Sequence, residues 1–101
     1  MELPKYYELY NLLLGVIKDG QVYSISEIRE QIASTLNLSE EDLAKKLPSG
    51  KQTVFNNRVA WAKSYLKKAG LVTSPQRGHF QITSEGRSIL EIGLPITNEL
   101  L

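Results

Sequence analysis

The stretch Pro48-Ser49-Gly50-Lys51-Gln52-Thr53-Val54-Phe55-Asn56-Asn57-Arg58-Val59-Ala60-Trp61-Ala62-Lys63-Ser64-Tyr65-Leu66-Lys67-Lys68-Ala69-Gly70 reads as one long helix with a marked start and a marked stop. Ser49 and Gln52 have the S-x-x-Q spacing of a capping box, in which two otherwise unpartnered amides are satisfied reciprocally. Gly70 suits the left-handed residue just past a helix end. Leu71 would then fold back on Leu66, as in a Schellman motif. Between these ends Phe55, Val59, Ala62, Leu66 and Ala69 recur at helical spacing, which predicts one apolar face turned to a core.

The opposite face sets the functional reading. At 100° per residue from Phe55, the residues Asn56, Asn57, Ala60, Lys63, Ser64 and Lys67, with Thr53 ahead of them, fall between about 80° and 200°. They are short or amide side chains followed by cations. No Asp or Glu occurs from Ser49 through His79. Amide side chains can pair with adenine in a major groove and lysines meet phosphates, so the pattern points to double-stranded DNA. The plainer alternative is an ordinary solvated helix face.

Working outward, the chain before this helix is predicted to be helical. Pro4 opens a first helix, where its missing N–H costs nothing, with Leu9, Leu12, Leu13, Val16 and Ile17 as its stripe and Asp19-Gly20 as its end. Tyr6, Tyr7 and Tyr10 are read as half-buried packing residues rather than a stacking platform. Gln21-Val22-Tyr23 could pair with a later hairpin. Ser24-Ile25-Ser26-Glu27 is a second capping box, heading a helix closed by Asn37. Ser39 caps a short third helix whose Glu40, Glu41 and Asp42 suit the positive end of a helix dipole, an explanation sufficient without a metal.

After Gly70 the period changes from helix to strand. Leu71-Val72-Thr73-Ser74 and His79-Phe80-Gln81-Ile82 flank the turn residues Pro75-Gln76-Arg77-Gly78, a predicted β-hairpin with Arg77 near its tip. Thr83 or Ser84 starts a last helix carrying Ile89, Leu90 and Ile92, stopped by Gly93-Leu94-Pro95. The expected fold is mainly α with a small β-hairpin, a winged helix-turn-helix occupying residues 1–92. Residues 93–101 are expected to be a loosely held tail or linker.

At 101 residues the chain is one domain. Its net charge of +1 conceals an asymmetry. Residues 1–48 carry five cations against eight anions, net −3, and residues 49–101 carry seven against three, net +4. Phosphate affinity depends on such local excess rather than on the total. No apolar run approaches a membrane span and no signal-peptide layout opens the chain, so a cytoplasmic home is expected. The absence of cysteine removes disulfides, thiolate metal sites and cysteine nucleophiles together. With His79 the one histidine, and no phosphate loop or metal-ligand spacing, no catalytic, metal or cofactor residue is assigned.

The candidate DNA-binding residues are therefore Lys51, Gln52, Thr53, Asn56, Asn57, Lys63, Lys67 and Arg77. The first three are expected in the first helical turn, whose amides favour a phosphate, with Gln52 alternatively committed to capping Ser49. Asn56 and Asn57 are the candidate base readers, Lys63 and Lys67 phosphate contacts, and Arg77 a probe of a narrow groove. Arg58 projects beside the core and is read as a structural hydrogen-bonding residue. Trp61 and Tyr65 are expected to pack under the wing or against the terminal helix, with base stacking by Trp61 as the alternative.

The run Leu47-Pro48-Ser49-Gly50-Lys51-Gln52-Thr53-Val54-Phe55, then Asn57-Arg58-Val59-Ala60-Trp61-Ala62, Tyr65-Leu66-Lys67-Lys68-Ala69-Gly70-Leu71, Arg77-Gly78 and Ile82-Thr83-Ser84-Glu85-Gly86-Arg87 resembles the N-terminal domain of Mrr-type restriction proteins. The resemblance covers about Pro4 to Leu90. It implies a winged-helix module that targets a restriction nuclease to modified, typically methylated, DNA. In that family a nuclease domain of the PD-(D/E)xK type follows the module, and these residues contain no such acidic-acidic-lysine cluster. The implied partners are double-stranded DNA, methylated DNA included, and a nuclease domain in cis or trans. The alternatives are a small transcription regulator, or a protein-interaction or dimerisation winged helix using Tyr6, Tyr7, Tyr10, the last helix and Leu94, Ile96, Leu100 and Leu101.

Overall fold

The computed structural model describes residues 2–93 and 95–101; Met1 and Leu94 lie outside the described residues. A 3-10 turn, Tyr6–Glu8, leads into α1 (Tyr10–Val16), β1 (Tyr23–Ser24), α2 (Ile25–Leu36) and α3 (Glu40–Ala44). The long helix α4 (Val54–Lys68) follows, then β2 (Val72–Gln76), β3 (His79–Ile82) and α5 (Ser84–Ile92). The three strands form one antiparallel sheet in the order β1-β3-β2. Helices packed on a small sheet that ends in a hairpin make this a winged helix.

The interior is assembled from helical stripes, although in the first segment Tyr10 and Leu14 are fully buried while Leu12 and Val16, expected in the stripe, are only partly so. Leu9, Tyr10, Leu13, Leu14 and Ile17 from the α1 segment meet Ile28 and Ile32 of α2 and Phe55, Val59, Ala62 and Leu66 of α4. Leu71, Val72, Phe80 and Ile82 close the core from the sheet side. Ala69, expected on the buried face, is exposed, and Ile92 is exposed too. Ala69 is the residue just past the end of α4, and Ile92 is the last residue of α5. Tyr10 is fully buried rather than half-buried, and burial pushes its phenol up to about 12. Pro4 does not open α1: Lys5 caps the 3-10 turn, and α1 begins only at Tyr10.

Local signals set most element ends. Ser24 Oγ accepts from the Glu27 amide at 3.1 Å while the Glu27 carboxylate accepts from the Ser24 amide at 2.9 Å. Ser39 and Asp42 do the same at the start of α3. Asn37 takes the left-handed conformation, φ 56°, that ends α2. At the end of α4 the Leu71 amide donates to Leu66 O and the Gly70 amide to Lys67 O, both at 3.0 Å, which completes the Schellman pair.

The start of α4 departs from expectation. Ser49 and Gln52 form no capping box; the helix begins five residues after Ser49, with Thr53 Oγ1 accepting from the Asn56 amide at 3.1 Å. The cause is a pairing invisible to local spacing. Lys46 bridges Thr53, the Leu47 amide donates to Gln52 O at 3.0 Å, and the Val54 amide donates to Lys45 O at 2.8 Å. Residues 47–52 are therefore closed into a loop that ends just before the helix, and Thr53 takes the capping position instead.

Thr83 joins the wing to α5. Its hydroxyl donates to Gly70 O at 2.6 Å and also accepts from the Gly86 amide at 3.1 Å, while its own amide donates to Leu71 O. Gly86 is buried in this joint: a Cβ there would collide with Leu71 O. Residues 95–101 are docked rather than loose. The Ile96 amide donates to Asn11 Oδ1 at 2.7 Å, Tyr10 Oη donates to Asn98 Oδ1 at 2.5 Å, and Ile96 is buried.

Candidate nucleic-acid interface

The outward side of α4 divides into two flanks, because its apolar stripe leaves neighbours on both edges. On the flank toward the sheet, Lys63 lies with its ammonium 5.2 Å from the centroid of the Phe80 ring of β3. Burial, then the like charges of Lys67 and Arg29, hold its pKa below the ordinary lysine value. Lys63 thus feels two further cations, one from its own helix and one from α2. Arg29 Nε is buried without a hydrogen-bond partner.

Arg29 is the residue that sequence reading missed. It is the one cation of α2, four residues past Ile25 and three before Ile32, and so borders that helix's buried stripe. That position was legible, but its approach to Lys63 depends on how α2 crosses α4.

The two asparagines do not act from one place. Asn56 faces α2, where it lines a hollow of about 380 Å³ with Arg29, Glu30, Ala33, Leu43 and Phe55. Asn57, about 100° further round the helix, borders a cleft on the other flank with Tyr6, Tyr7, Trp61 and Tyr65. Both are partly exposed, as is Lys63, and Lys67 is exposed. From Asn56 to Lys67 the polar side runs about 16 Å along the axis.

Lys51, Gln52 and Thr53 are not in the first turn of α4. Lys51 and Gln52 stand exposed in the closed loop before it, and Thr53 is occupied as the cap. The expected placement of these three residues in the first helical turn is therefore not met. At the other end Arg77 is exposed at the hairpin turn, beside Gly78 with φ 74°. The Ile25 amide donates to Gly78 O at 3.0 Å, so the wing tip is tied to the start of α2. His79 Nδ1 meets the Arg77 carbonyl at 3.0 Å, which further braces the turn.

Arg58 is structural, with Nη1 donating to Leu3 O at 2.7 Å and Pro4 O at 3.1 Å. Trp61 and Tyr65 pack neither under the wing nor against α5. They meet the N-terminal segment instead, with Tyr65 stacked on Tyr6 at 5.3 Å. The pull of Arg58 on Leu3 and Pro4 brings that segment to this flank.

A family model described as the Mrr N-terminal domain matches residues 6–91. The chain belongs to that family. A relative, the type IV methyl-directed restriction enzyme EcoKMrr of Escherichia coli (strain K12), is 40% identical to this Mrr N-terminal domain over 60 residues. The match covers 59% of this chain and 19% of the relative, so the chain spans about a fifth of that enzyme's length. No solved structure matches it. No helix among the described residues is long and apolar enough to cross a membrane. Among the described residues no group of three or more His, Asp or Glu side chains is placed to hold a metal.

Proposed function

We propose that this Mrr N-terminal domain binds double-stranded DNA through the outward side of α4 and the wing, and so directs a restriction nuclease to modified, methylated DNA. The observation that carries the reading is the cluster of Lys63, Lys67 and Arg29. Burial of Lys63 disfavours its charged form, and the like charges of the exposed Lys67 and the partly buried Arg29 add to that. A phosphate would relieve that repulsion. The carboxylate-free run from Ser49 through His79 extends the same preference along α4 and onto the hairpin.

Within this reading Lys63, Lys67, Arg29 and the loop residue Lys51 contact phosphates, Asn56 and Asn57 address base edges, and Arg77 enters the neighbouring groove. Gln52 adds a loop contact, and Thr53 acts by setting the start of α4. The methyl specificity is supported by the name of the E. coli relative. Residues 1–92 are the recognition module, and residues 93–101 lead toward the nuclease domain, carried in cis or supplied in trans, in the cytoplasm.

The protein-interaction alternative loses part of its surface, because Tyr10 and Ile96 are buried within the domain. Binding should be titrated over several salt concentrations on identical duplexes bearing unmodified, adenine-methylated or cytosine-methylated bases. Each phosphate contact contributes about 0.9 to the log–log salt slope. Salt-independent binding defeats the DNA reading, and equal affinity for all three duplexes defeats the methyl specificity.

A further inference from the structure

The flank of α4 away from the wing carries an aromatic cleft, of which the groove contacts above use only Asn57 at the rim. Trp61 is 51% exposed, Tyr7 41% and Tyr65 37%. Rings of this size left open to water together mark a surface with an occupant. With Tyr6, Asn57 and Lys5 they line a cleft of about 470 Å³ that opens to solvent. Its frame is held in place. Tyr65 and Tyr6 are stacked with 20° between their planes, and Trp61 lies 6.0 Å from Tyr65, tilted by 30°. The Arg58 hydrogen bonds to Leu3 and Pro4 keep the segment bearing Tyr6 and Tyr7 against α4.

We infer that this cleft takes an unstacked nucleobase from a DNA strand lying along α4. The inference rests on the DNA-binding reading above and adds a second site to it. The lining chemistry selects this occupant. Among the described residues none that lines the cleft is aliphatic, whereas a groove for an amphipathic protein segment would offer Leu, Ile or Val. Aromatic faces instead suit the π-face that every base possesses. Asn57 at the rim has both a donor and an acceptor for a base edge. The Lys5 ammonium, 6.0 Å from the Tyr7 ring centroid, supplies a cation for the strand's phosphate. Asn57 also belongs to the outward side of α4, so cleft and groove surface are continuous.

Trp61 is the single tryptophan of the chain and therefore reports on its own cleft. Two duplexes of equal length would be compared at fixed salt, one fully paired and one with a single mismatched base that unstacks at low cost. The mismatched duplex should bind about tenfold more tightly and quench Trp61 emission. Trp61→Ala should abolish the preference while leaving the salt slope on the paired duplex unchanged, and Trp61→Phe should retain part of it. Tyr7→Ala, at an exposed ring, gives the same comparison should Trp61→Ala fail to fold. Equal affinity for the two duplexes, or equal weakening of both by Trp61→Ala, overturns the inference and leaves DNA binding standing. No salt-dependent binding of any duplex overturns both. Dimerisation abolished by Trp61→Ala would assign the cleft to a second copy of the chain and overturn the inference as well.

Discussion

The ammonium of Lys63 on α4 sits 5.2 Å from the ring centroid of Phe80 on β3, joining the long helix to the wing through a cation–π contact. That ring offsets part of the cost of holding Lys63 partly buried beside Lys67 and Arg29.

Removing that charge should separate stability from binding. Because the folded state lowers the pKa of Lys63, its protonated form is less favourable in the fold than in the unfolded chain. Lys63→Met should melt at the same temperature as the parent at pH 7, or slightly higher. Its affinity for every duplex should fall alike, with the salt slope smaller by about 0.9. A clear drop in melting temperature with unchanged DNA affinity would contradict this assignment.

Arg29→Ala and Asn56→Ala test two neighbours with different roles. The arginine variant should weaken paired duplexes regardless of sequence. Asn56→Ala should instead narrow the gap between a preferred and a scrambled duplex, by roughly 1–3 kcal/mol where the contact is bidentate. Competition binding with both duplexes distinguishes these outcomes, and a uniform loss for Asn56→Ala would assign it to positioning.

Two glycines should respond in opposite directions to the same substitution. At Gly86 a methyl group would collide with Leu71 O and stand 2.7 Å from the Ile82 side chain. Gly86→Ala should therefore cost about 1–3 kcal/mol, and thermal melting should fall by at least ~5 °C. At Gly15, inside α1, a Cβ would meet nothing within 4 Å, so Gly15→Ala should stabilise by roughly 0.5–1 kcal/mol.

Acid should weaken the domain through its hydrogen-bonded carboxylates. The Ser24 and Ser39 amides hold Glu27 and Asp42 below the ordinary carboxylate range, and the Gln21 amide and the Tyr23 hydroxyl do so for Asp19. A lowered folded-state pKa means their stabilisation is complete above the unfolded values of 3.8 for Asp and 4.5 for Glu. It is lost as pH falls through the lower folded values. Melting temperature should be level down to about pH 5 and decline below it, with a shallower decline in Glu27→Gln. A maximum in stability near pH 3 would refute the capping account.

The docked tail should come loose when its buried anchor is removed. Tyr10→Phe deletes the hydroxyl that donates to Asn98 Oδ1 while preserving the ring in the core. The loss should be about 1 kcal/mol. Amide exchange should accelerate at Ile96, whose N–H is held by Asn11, while the α2 and α4 amides keep their protection. Uniform acceleration across the domain would mean that the tail and core unfold together.

The elements themselves could be read from the chain because their signals lie within one or two turns. Ser24 with Glu27, Ser39 with Asp42, Gly70 with Leu71, and the Arg77-Gly78 turn each involve residues close together in the chain. The apolar stripe of α4 likewise identified Phe55, Val59, Ala62 and Leu66 as core. Gly86 was visible as a letter in a motif, and the Leu71 carbonyl that forbids a side chain there was not.

By itself, then, the sequence determined the winged-helix order, the buried face of each long helix and the excess of positive charge after residue 48. Tertiary structure alone decided where α4 begins, since the Lys46–Thr53 pairing crosses a loop. It alone brought Arg29 to Lys63, sent Trp61 and Tyr65 to the N-terminal segment, and folded residues 95–101 onto Asn11 and Tyr10. Periodicity states which side of a helix avoids water. Which neighbour meets the flanks depends on how the helices cross, and that follows from the packing of the whole core.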